Sequence, residues 1–287
     1  MCRIFGFRSI INSQVHSSLV HADNALMDQS KKHPDGWGVA YYLENSPHIV
    51  KSTECAMDDH IFEKISGVVS SHTVVAHIRK ATQGQNNILN SHPFQYGSWV
   101  FAHNGNMKDF PSHKTKLLSL IDHDLKPYIL GSTDSEIFFF ILLTEIKKVH
   151  PLSDPNIQLE LLFKVVEKSV EKIVRIIGKL INSNNPIPTE NYLTFILTSG
   201  PVMISLHGGQ PLNYCTHKTK CPERESCSSY SKICEQPFQN NSKINHLIFS
   251  SEKMKGANVW NEMKAGDIMG VNKDMIVKFA KIEGDFF

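Results

Sequence analysis

The sequence predicts an α+β protein in which β-sheets pack against layers of helices. Short runs rich in aromatic and β-branched residues, separated by clusters of Gly, Pro, Asn and Asp, fill roughly the first hundred residues and return later in the chain. Two long helical patterns lie between these regions, one apolar on every face and one amphipathic. Strands, then helices, then strands again are typical of sheets covered by helical layers.

The first half is expected to contain four strands and two weaker helices. Each strand pattern is short and bounded by turn residues. The predicted strands are Cys2–Phe7, Trp37–Leu43, Val74–Ile78 and Trp99–His103, and the helices lie around Ser17–Ser30 and Asp58–Ile65.

A stronger helix is predicted to begin near Asp134. Thr133 and Glu136 have the spacing of a capping box, in which each side chain accepts a hydrogen bond from a backbone N–H at the start of the helix. Because Ile137–Leu143 is apolar on every face, we expect this helix to be buried between layers.

The next helix is amphipathic. Asp154 is placed to cap it, and Pro155 suits its first turn. Its apolar stripe contains Leu159, Leu162, Phe163, Val166, Val170, Ile173, Ile177 and Leu180. Asn182–Thr189 is expected to form a loop, followed by strands at Tyr192–Thr198, Val202–Leu206, Leu247–Ser250 and Met275–Phe279.

The composition predicts a folded chain and excludes several classes of partner. With 287 residues and 41% hydrophobic side chains, a substantial core is expected. A net charge of +2, from 30 basic and 28 acidic side chains, provides no broad basic surface for a nucleic acid. The longest apolar run, Ile137–Leu143, is far shorter than the ~20 residues that span a membrane. We therefore expect neither a nucleic acid nor a membrane as partner.

No boundary divides the chain, so residues 1–287 are expected to form one domain, with 207–245 as a cysteine-rich loop insertion. The N-terminal segment lacks a signal-peptide pattern, because the run between Arg3 and Arg8 is too short for a hydrophobic region. We therefore expect a cytoplasmic protein whose six cysteines are reduced thiols or metal ligands.

Cys2 directly follows the initiator methionine. Removal of Met1 would leave Cys2 with a free α-amine, whose ordinary pKa of ~7.7–8.0 lets it accept the thiol proton near neutral pH. Nucleophile and base would then belong to one residue. The alternative is a cysteine that occupies position 2 without a chemical role.

Three further residue types fit chemistry on an amino-acid substrate. Arg79, at the end of a predicted strand, suits bidentate capture of a carboxylate, although many such arginines only end a strand. Asn104 and Gly105 could form an oxyanion hole or a plain Asn-Gly turn. Asp134 could bind an ammonium group or only complement the dipole of its helix.

Five segments occur in the order and rough spacing of class II glutamine amidotransferases, which are N-terminal-nucleophile hydrolases. They are Cys2, His77-Ile78-Arg79-Lys80-Ala81-Thr82, Asn90-Ser91-His92-Pro93, His103-Asn104-Gly105 and Ser132-Thr133-Asp134-Ser135-Glu136. The turn Asp35-Gly36-Trp37-Gly38 makes the chain most similar to the stand-alone branch of this family. That branch includes uncharacterised bacterial amidotransferases and γ-glutamyl amidases of ergothioneine synthesis and glutathione breakdown. These motifs lie within residues 2–150. The resemblance implies a four-layer αββα sandwich in a single glutamine amidotransferase type-2 domain.

The resemblance also implies catalytic roles. Cys2 would attack the γ-carboxamide, and Asn104 with the Gly105 N–H would bind the oxyanion. Arg79 and Asp134 would bind the α-carboxylate and α-ammonium groups. A γ-glutamyl thioester would form and be hydrolysed.

Thr82 and His92 are implied as pocket or supporting residues. Gln83 departs from the sugar-phosphate-type synthases, which usually have histidine there, and this difference bears on specificity. The implied function is glutamine hydrolysis with ammonia passed to an acceptor, which needs a synthase partner chain. The alternative is a stand-alone amidase for γ-glutamyl peptides or conjugates. No cofactor is required for either reaction.

A second cysteine cluster leaves a different function open. Cys215, Cys221, Cys227 and Cys234 could hold Zn²⁺ or an iron–sulfur cluster, with His207 and His217 as substitute ligands. Their spacings differ from the Cys-x₂-Cys pattern of most structural zinc sites, so an exposed loop of free thiols is the alternative. A catalytically silent, metal-binding regulatory subunit is therefore the competing hypothesis from another class.

Overall fold

The computed structural model describes residues 2–182, 187–222 and 224–287. Within these ranges the strands are β1 (Arg3–Gln14), β2 (Trp37–Leu43), β3 (Ser46–Ser52), β4 (Ser70–Ile78), β5 (Phe94–Tyr96), β6 (Trp99–Asn106), β7 (Tyr192–Thr198), β8 (Met203–Leu206), β9 (Asn213–Cys215), β10 (His246–Ser250), β11 (Asn261–Glu262), β12 (Asp267–Val271) and β13 (Val277–Lys281).

The α-helices of the described residues are α1 (Leu26–Gln29), α2 (His60–Val68), α3 (Phe110–Ser119), α4 (Asp134–Lys147) and α5 (Leu159–Ile177). A π-helical turn covers Ser17–His21, and 3₁₀ turns cover Ser30–Lys32, Ile88–Asn90, His123–Tyr128 and Lys232–Glu235. None of the helices in this part of the chain is long and apolar enough to cross a membrane.

The strands form two antiparallel sheets. The seven-stranded sheet has the order β11-β9-β10-β1-β4-β2-β3, and the six-stranded sheet has the order β13-β12-β8-β7-β6-β5. Residues such as Ile4, Val75, Ala102 and Ile196 form the core between the two sheets. Because side chains alternate along a strand, the next residues on each strand face the outer layers.

Helices cover both outer faces. The core beneath α3, α4 and α5 includes Phe101 and Phe195 of the six-stranded sheet, together with Phe138 of α4. The other sheet packs Phe5 and Trp37 against the short helices and α2. These four layers confirm the predicted αββα sandwich, and α4 is buried as its apolar sequence predicts.

The predicted strands at Trp37–Leu43 and Tyr192–Thr198 agree with β2 and β7, whereas the other predicted strands differ at their ends. The most extended is the first, which continues to Gln14 because a register shift between Arg8 and Ser13 lets it stay paired with β4. Part of the predicted loop at 182–189 lies outside the described residues. The segment 207–245 is more than a loop, because β9 joins the seven-stranded sheet beside β10.

The predicted start of α4 at Asp134 is confirmed, whereas the closing half of its capping box and the predicted start of α5 need correction. Thr133 caps α4 as predicted, accepting a hydrogen bond from Glu136 N at 3.2 Å, but the Glu136 carboxylate binds the N–H groups of Leu130 and Gly131 instead of closing the capping box. Asp154 does not cap α5. It accepts a hydrogen bond from Asn156 N at 2.9 Å, and the helix begins later, at Leu159.

Candidate active site

Cys2 lies directly before β1, at one end of the space between the sheets. It shares a face of the strand with Ile4, which belongs to the core between the sheets, and it is 8% exposed. Because Arg3 pairs with Ile78, Cys2 lies beside Arg79 of the neighbouring strand. Its Sγ is 3.3 Å from the backbone N of Lys80, which donates to it.

Burial raises the pKa of the Cys2 thiol, and the Lys80 N–H opposes that effect. The thiol is therefore protonated at neutral pH and needs a base before it can act as a nucleophile. The predicted base is the α-amine exposed by loss of Met1. Met1 lies outside the described residues, so its removal stays a prediction.

Arg79 is buried at the end of β4, and its contacts are to neutral groups. Nη1 donates to Asn86 Oδ1 at 3.0 Å, and Nη2 donates to the carbonyl oxygens of Gln83 and Gln85 at 3.2 and 3.3 Å. Burial lowers the pKa of Arg79, but a guanidinium keeps its positive charge in proteins. The loop after β4 therefore orients a guanidinium that no carboxylate of the described residues neutralises by an ion pair.

Asp134 is the first residue of α4 and is 2% exposed. Oδ2 accepts a hydrogen bond from Met107 N at 2.7 Å, and Oδ1 accepts one from Ser135 N at 2.9 Å. Burial raises the pKa of this carboxyl to about 6. The charge of Asp134 raises the pKa of the Cys2 thiol and that of Arg79 lowers it, so both lie within electrostatic range of Cys2.

Asn104 and Gly105 lie near the end of β6 in the opposite sheet. Asn104 Nδ2 donates to Ser251 Oγ at 3.4 Å, and the same hydroxyl accepts a hydrogen bond from Ile4 N at 3.0 Å. Asn104 is thereby tied to the start of β1, two residues from Cys2. A Cβ at Gly105 would come within 2.1 Å of His103 Nε2, so a glycine is required there.

The structure therefore places the charges of Arg79 and Asp134 within electrostatic range of Cys2 and links Asn104 to the start of β1 through Ser251. Thr82, by contrast, is exposed on the loop after β4. His92 is buried and stacks on His77, with ring centroids 4.2 Å apart. Both ring nitrogens of His92 lack hydrogen-bond partners in the described part of the chain.

Two residues that position the site were not assigned a role from the sequence. Asn86 orients Arg79, and Ser251 connects the two sheets. Asn86 could have been found from the polar run that follows Arg79. Ser251 could not, since only the pairing of β10 with β1 brings it to the start of β1. Gln83, which the sequence linked to specificity, donates its amide to Asn106 Oδ1 at 3.1 Å.

The second cysteine cluster adjoins the seven-stranded sheet. Cys221, Cys227 and Cys234 line one cavity of about 290 Å³, and Cys215 lies in β9 with its Sγ 4.0 Å from His246 Nε2. Among residues 2–182, 187–222 and 224–287, no three His, Cys, Asp or Glu side chains are grouped to hold a metal ion. The metal site remains a prediction that elemental analysis of purified protein tests.

The four layers, with a buried cysteine at the start of a central strand, define an N-terminal-nucleophile hydrolase fold. Solved structures share it: a glutamine aminotransferase class-II domain protein from Silicibacter pomeroyi superposes with a TM-score of 0.61 at 17% identity, covering 99% of this chain and 100% of that one. Glutamine phosphoribosylpyrophosphate amidotransferase from B. subtilis superposes with a TM-score of 0.59 at 15% identity, covering 99% of this chain and 50% of that one.

The family model for class-II glutamine amidotransferases matches residues 1–284, and the chain belongs to that family. A Haemophilus influenzae protein, a glutamine amidotransferase by name, is 32% identical over 191 residues, which are 65% of this chain and 56% of its own. The gamma-glutamyl-hercynylcysteine sulfoxide hydrolase of Mycobacterium tuberculosis is 33% identical over 72 residues, 25% of this chain and 31% of its own. In the alignment with the Haemophilus protein, this chain spans little more than half of its relative's length.

Proposed function

We propose that the chain hydrolyses the γ-amide of glutamine through a γ-glutamyl thioester on Cys2. The observation that carries the proposal is the pair of buried, opposite charges beside Cys2. Arg79 and Asp134 each lack an ion-pair partner among the described residues, and burying such charges is costly unless a ligand completes them. The α-carboxylate and α-ammonium groups of a free amino acid provide that complement.

The same residues supply the steps of the reaction. The α-amine of Cys2 takes the thiol proton, and Sγ attacks the amide carbon to give a tetrahedral oxyanion, which the Asn104 amide and the Gly105 N–H stabilise. The protonated amine returns its proton to the leaving nitrogen as the C–N bond breaks, releasing ammonia and leaving the thioester. Water then attacks the thioester, giving glutamate and the free thiol.

We propose ammonia transfer to an acceptor, with a synthase on a partner chain, as the physiological use. The second candidate is a stand-alone γ-glutamyl amidase, favoured by the likeness to the Mycobacterium hydrolase. We also propose a cytoplasmic location, which the free state of all six cysteines supports.

The test is a comparison of glutamate release from glutamine with release from a panel of γ-glutamyl peptides and thiol conjugates. Cys2→Ala is the blank, and Cys55→Ser is the matched control because the Cys55 thiol is hydrogen-bonded to Ser30 and to none of the proposed catalytic or substrate-binding residues. We expect turnover by the wild type and by Cys55→Ser, and none by Cys2→Ala. Faster turnover of glutamine supports the amidotransferase, whereas faster turnover of a γ-glutamyl amide supports the amidase. Full activity of Cys2→Ala would exclude both.

A further inference from the structure

A groove far from Cys2 contains a second buried arginine. Arg8 lies six residues beyond Cys2 along β1, which at about 3.3 Å per residue places it roughly 20 Å from the proposed nucleophile. The groove has a volume of about 600 Å³ and is bordered by the β2–β3, β7–β8 and β12–β13 turns. It therefore lies at the opposite end of the sandwich from the candidate active site.

The guanidinium of Arg8 is buried without a compensating carboxylate. Arg8 is 8% exposed, and its Nε donates to Pro201 O at 3.4 Å, while Nη1 donates to the carbonyl oxygens of Ser9 and His72. Burial lowers the pKa of Arg8 to about 10, and no neighbouring charge opposes that effect. Nη2 has no hydrogen-bond partner among the residues that the structure describes, so one edge of the guanidinium is available to a ligand.

Other cations line the same groove. Lys243 and Lys273 are exposed on its walls, and Lys273 is paired with Asp274 at 2.9 Å. Glu44, the other carboxylate of the lining, is exposed on the β2–β3 turn. Within the described chain, Arg8 and Lys243 thus remain as two cations without ion-pair partners. A phosphate group carries about −1.5 to −2 charges at neutral pH, which matches that pair.

We propose that this groove binds a phosphate group, with Arg8 Nη2 and Lys243 Nζ as its donors. The phosphate belongs either to a small phosphorylated metabolite or to free inorganic phosphate. A guanidinium edge and an ammonium group that line the same groove are well suited to phosphate oxygens, because the first gives directional hydrogen bonds and the second a point charge. The proposal is independent of the function proposed for Cys2.

The test is a titration of the isotope-labelled full chain with inorganic phosphate at constant ionic strength, followed by amide NMR. We expect saturable shifts for Ser9, Thr73 and Gly200, with no such shifts on adding chloride. A parallel titration with glycerol phosphate distinguishes the two sources: tighter binding of the ester supports a metabolite, and equal binding supports free phosphate. The absence of saturable shifts at these three residues with both ligands would overturn the proposal.

Variants test whether Arg8 and Lys243 are the residues that bind phosphate. Arg8→Gln should weaken phosphate binding by about tenfold or more, as expected for a buried charge-assisted contact. Because that change also threatens the fold, exposed Lys243→Ala is the second variant, with an expected loss of about two- to fivefold. Lys116→Ala, an exposed lysine on α3, is the control and should bind like the wild type. Equal affinities for Lys243→Ala and Lys116→Ala would contradict the proposal.

Discussion

Asp134 combines burial, hydrogen bonds from two backbone N–H groups and proximity to Cys2. Burial raises the pKa of this carboxyl to about 6, so it is ionised above that pH and neutral below it. Only the ionised form attracts a substrate ammonium. Because kcat/KM reports the ionisations of the free enzyme, we expect its fall with decreasing pH to begin as the Cys2 α-amine is protonated, at ~7.7–8.0, and to become steeper below about 6 as Asp134 is also protonated.

Asp134→Asn tests that assignment. It should lower kcat/KM by about 10- to 100-fold, the value of a hydrogen-bonded charge contact, and it should remove the steeper fall below about 6 while the fall caused by the α-amine remains. Initial rates measured across the pH range provide the check, with exposed Asp124→Asn as control. An unchanged acid limb in Asp134→Asn would show that another group is responsible.

Local patterns pointed to Cys2, Arg79 and Asp134, and the structure buries all three, with the charges of Arg79 and Asp134 acting on the Cys2 thiol. Their catalytic and substrate-binding roles stay predictions. Ser251 could not be assigned, because its position beside Ile4 depends on a contact between residues almost 250 positions apart. The resemblance named His92 as a pocket or supporting residue, but its stacking on His77 was hidden, since that contact follows from the tertiary packing.

At the scale of elements, α4 and α5 are joined by a buried carboxylate. Glu145 of α4 is 2% exposed and binds Lys172 and Lys168 of α5 at 2.7 and 3.3 Å, together with Lys148. Burial acts to raise the pKa of Glu145, but hydrogen bonds from Lys148 and Lys172 outweigh it and hold the pKa at about 2. The ion pairs therefore stabilise the folded state at every pH at which Glu145 would also be ionised in the unfolded chain.

We expect Glu145→Gln to lower the free energy of unfolding by about 2 kcal/mol at pH 7, discounted because the lysines are partly solvated. A depressed carboxyl pKa stabilises fully above the unfolded value of ~4.3 and loses its effect as the pH falls towards 2. Urea unfolding should thus show a smaller difference between variant and wild type at pH 3. Glu171→Gln, which removes an exposed pair with Arg175, should cost under ~0.5 kcal/mol. A difference for Glu145→Gln that grows at pH 3 would contradict this account.

The outcome for helix starts shows why elements were easier to predict than their ends. Thr133 caps α4 because its hydroxyl reaches the Glu136 N–H within the same turn. Asp154 has the same chemistry, yet it stabilises a turn at Asn156, and the chain runs on to Leu159 before α5 begins. Sequence alone does not distinguish a cap from such a turn.

For the whole molecule, most central strands, the edge strand β13 and the two main helices could be predicted, whereas β12 and four strands at or near the other edges could not. β3, β5, β9 and β11 are edge or near-edge strands, and their short or polar sequences give little periodic signal. The layered architecture nevertheless follows from the apolar α4 and the amphipathic α5, because both helices must bury apolar side chains against a sheet. It places the ends of β4, β6 and β10 beside Cys2.

The most direct test of the central claim is the intact mass and peptide map of wild-type protein quenched in acid during glutamine turnover. We predict a chain without Met1 that carries one γ-glutamyl group on the peptide beginning with Cys2, and no such adduct in Cys2→Ala. An adduct on any other residue, or turnover by a chain that retains Met1, would contradict catalysis by an N-terminal cysteine.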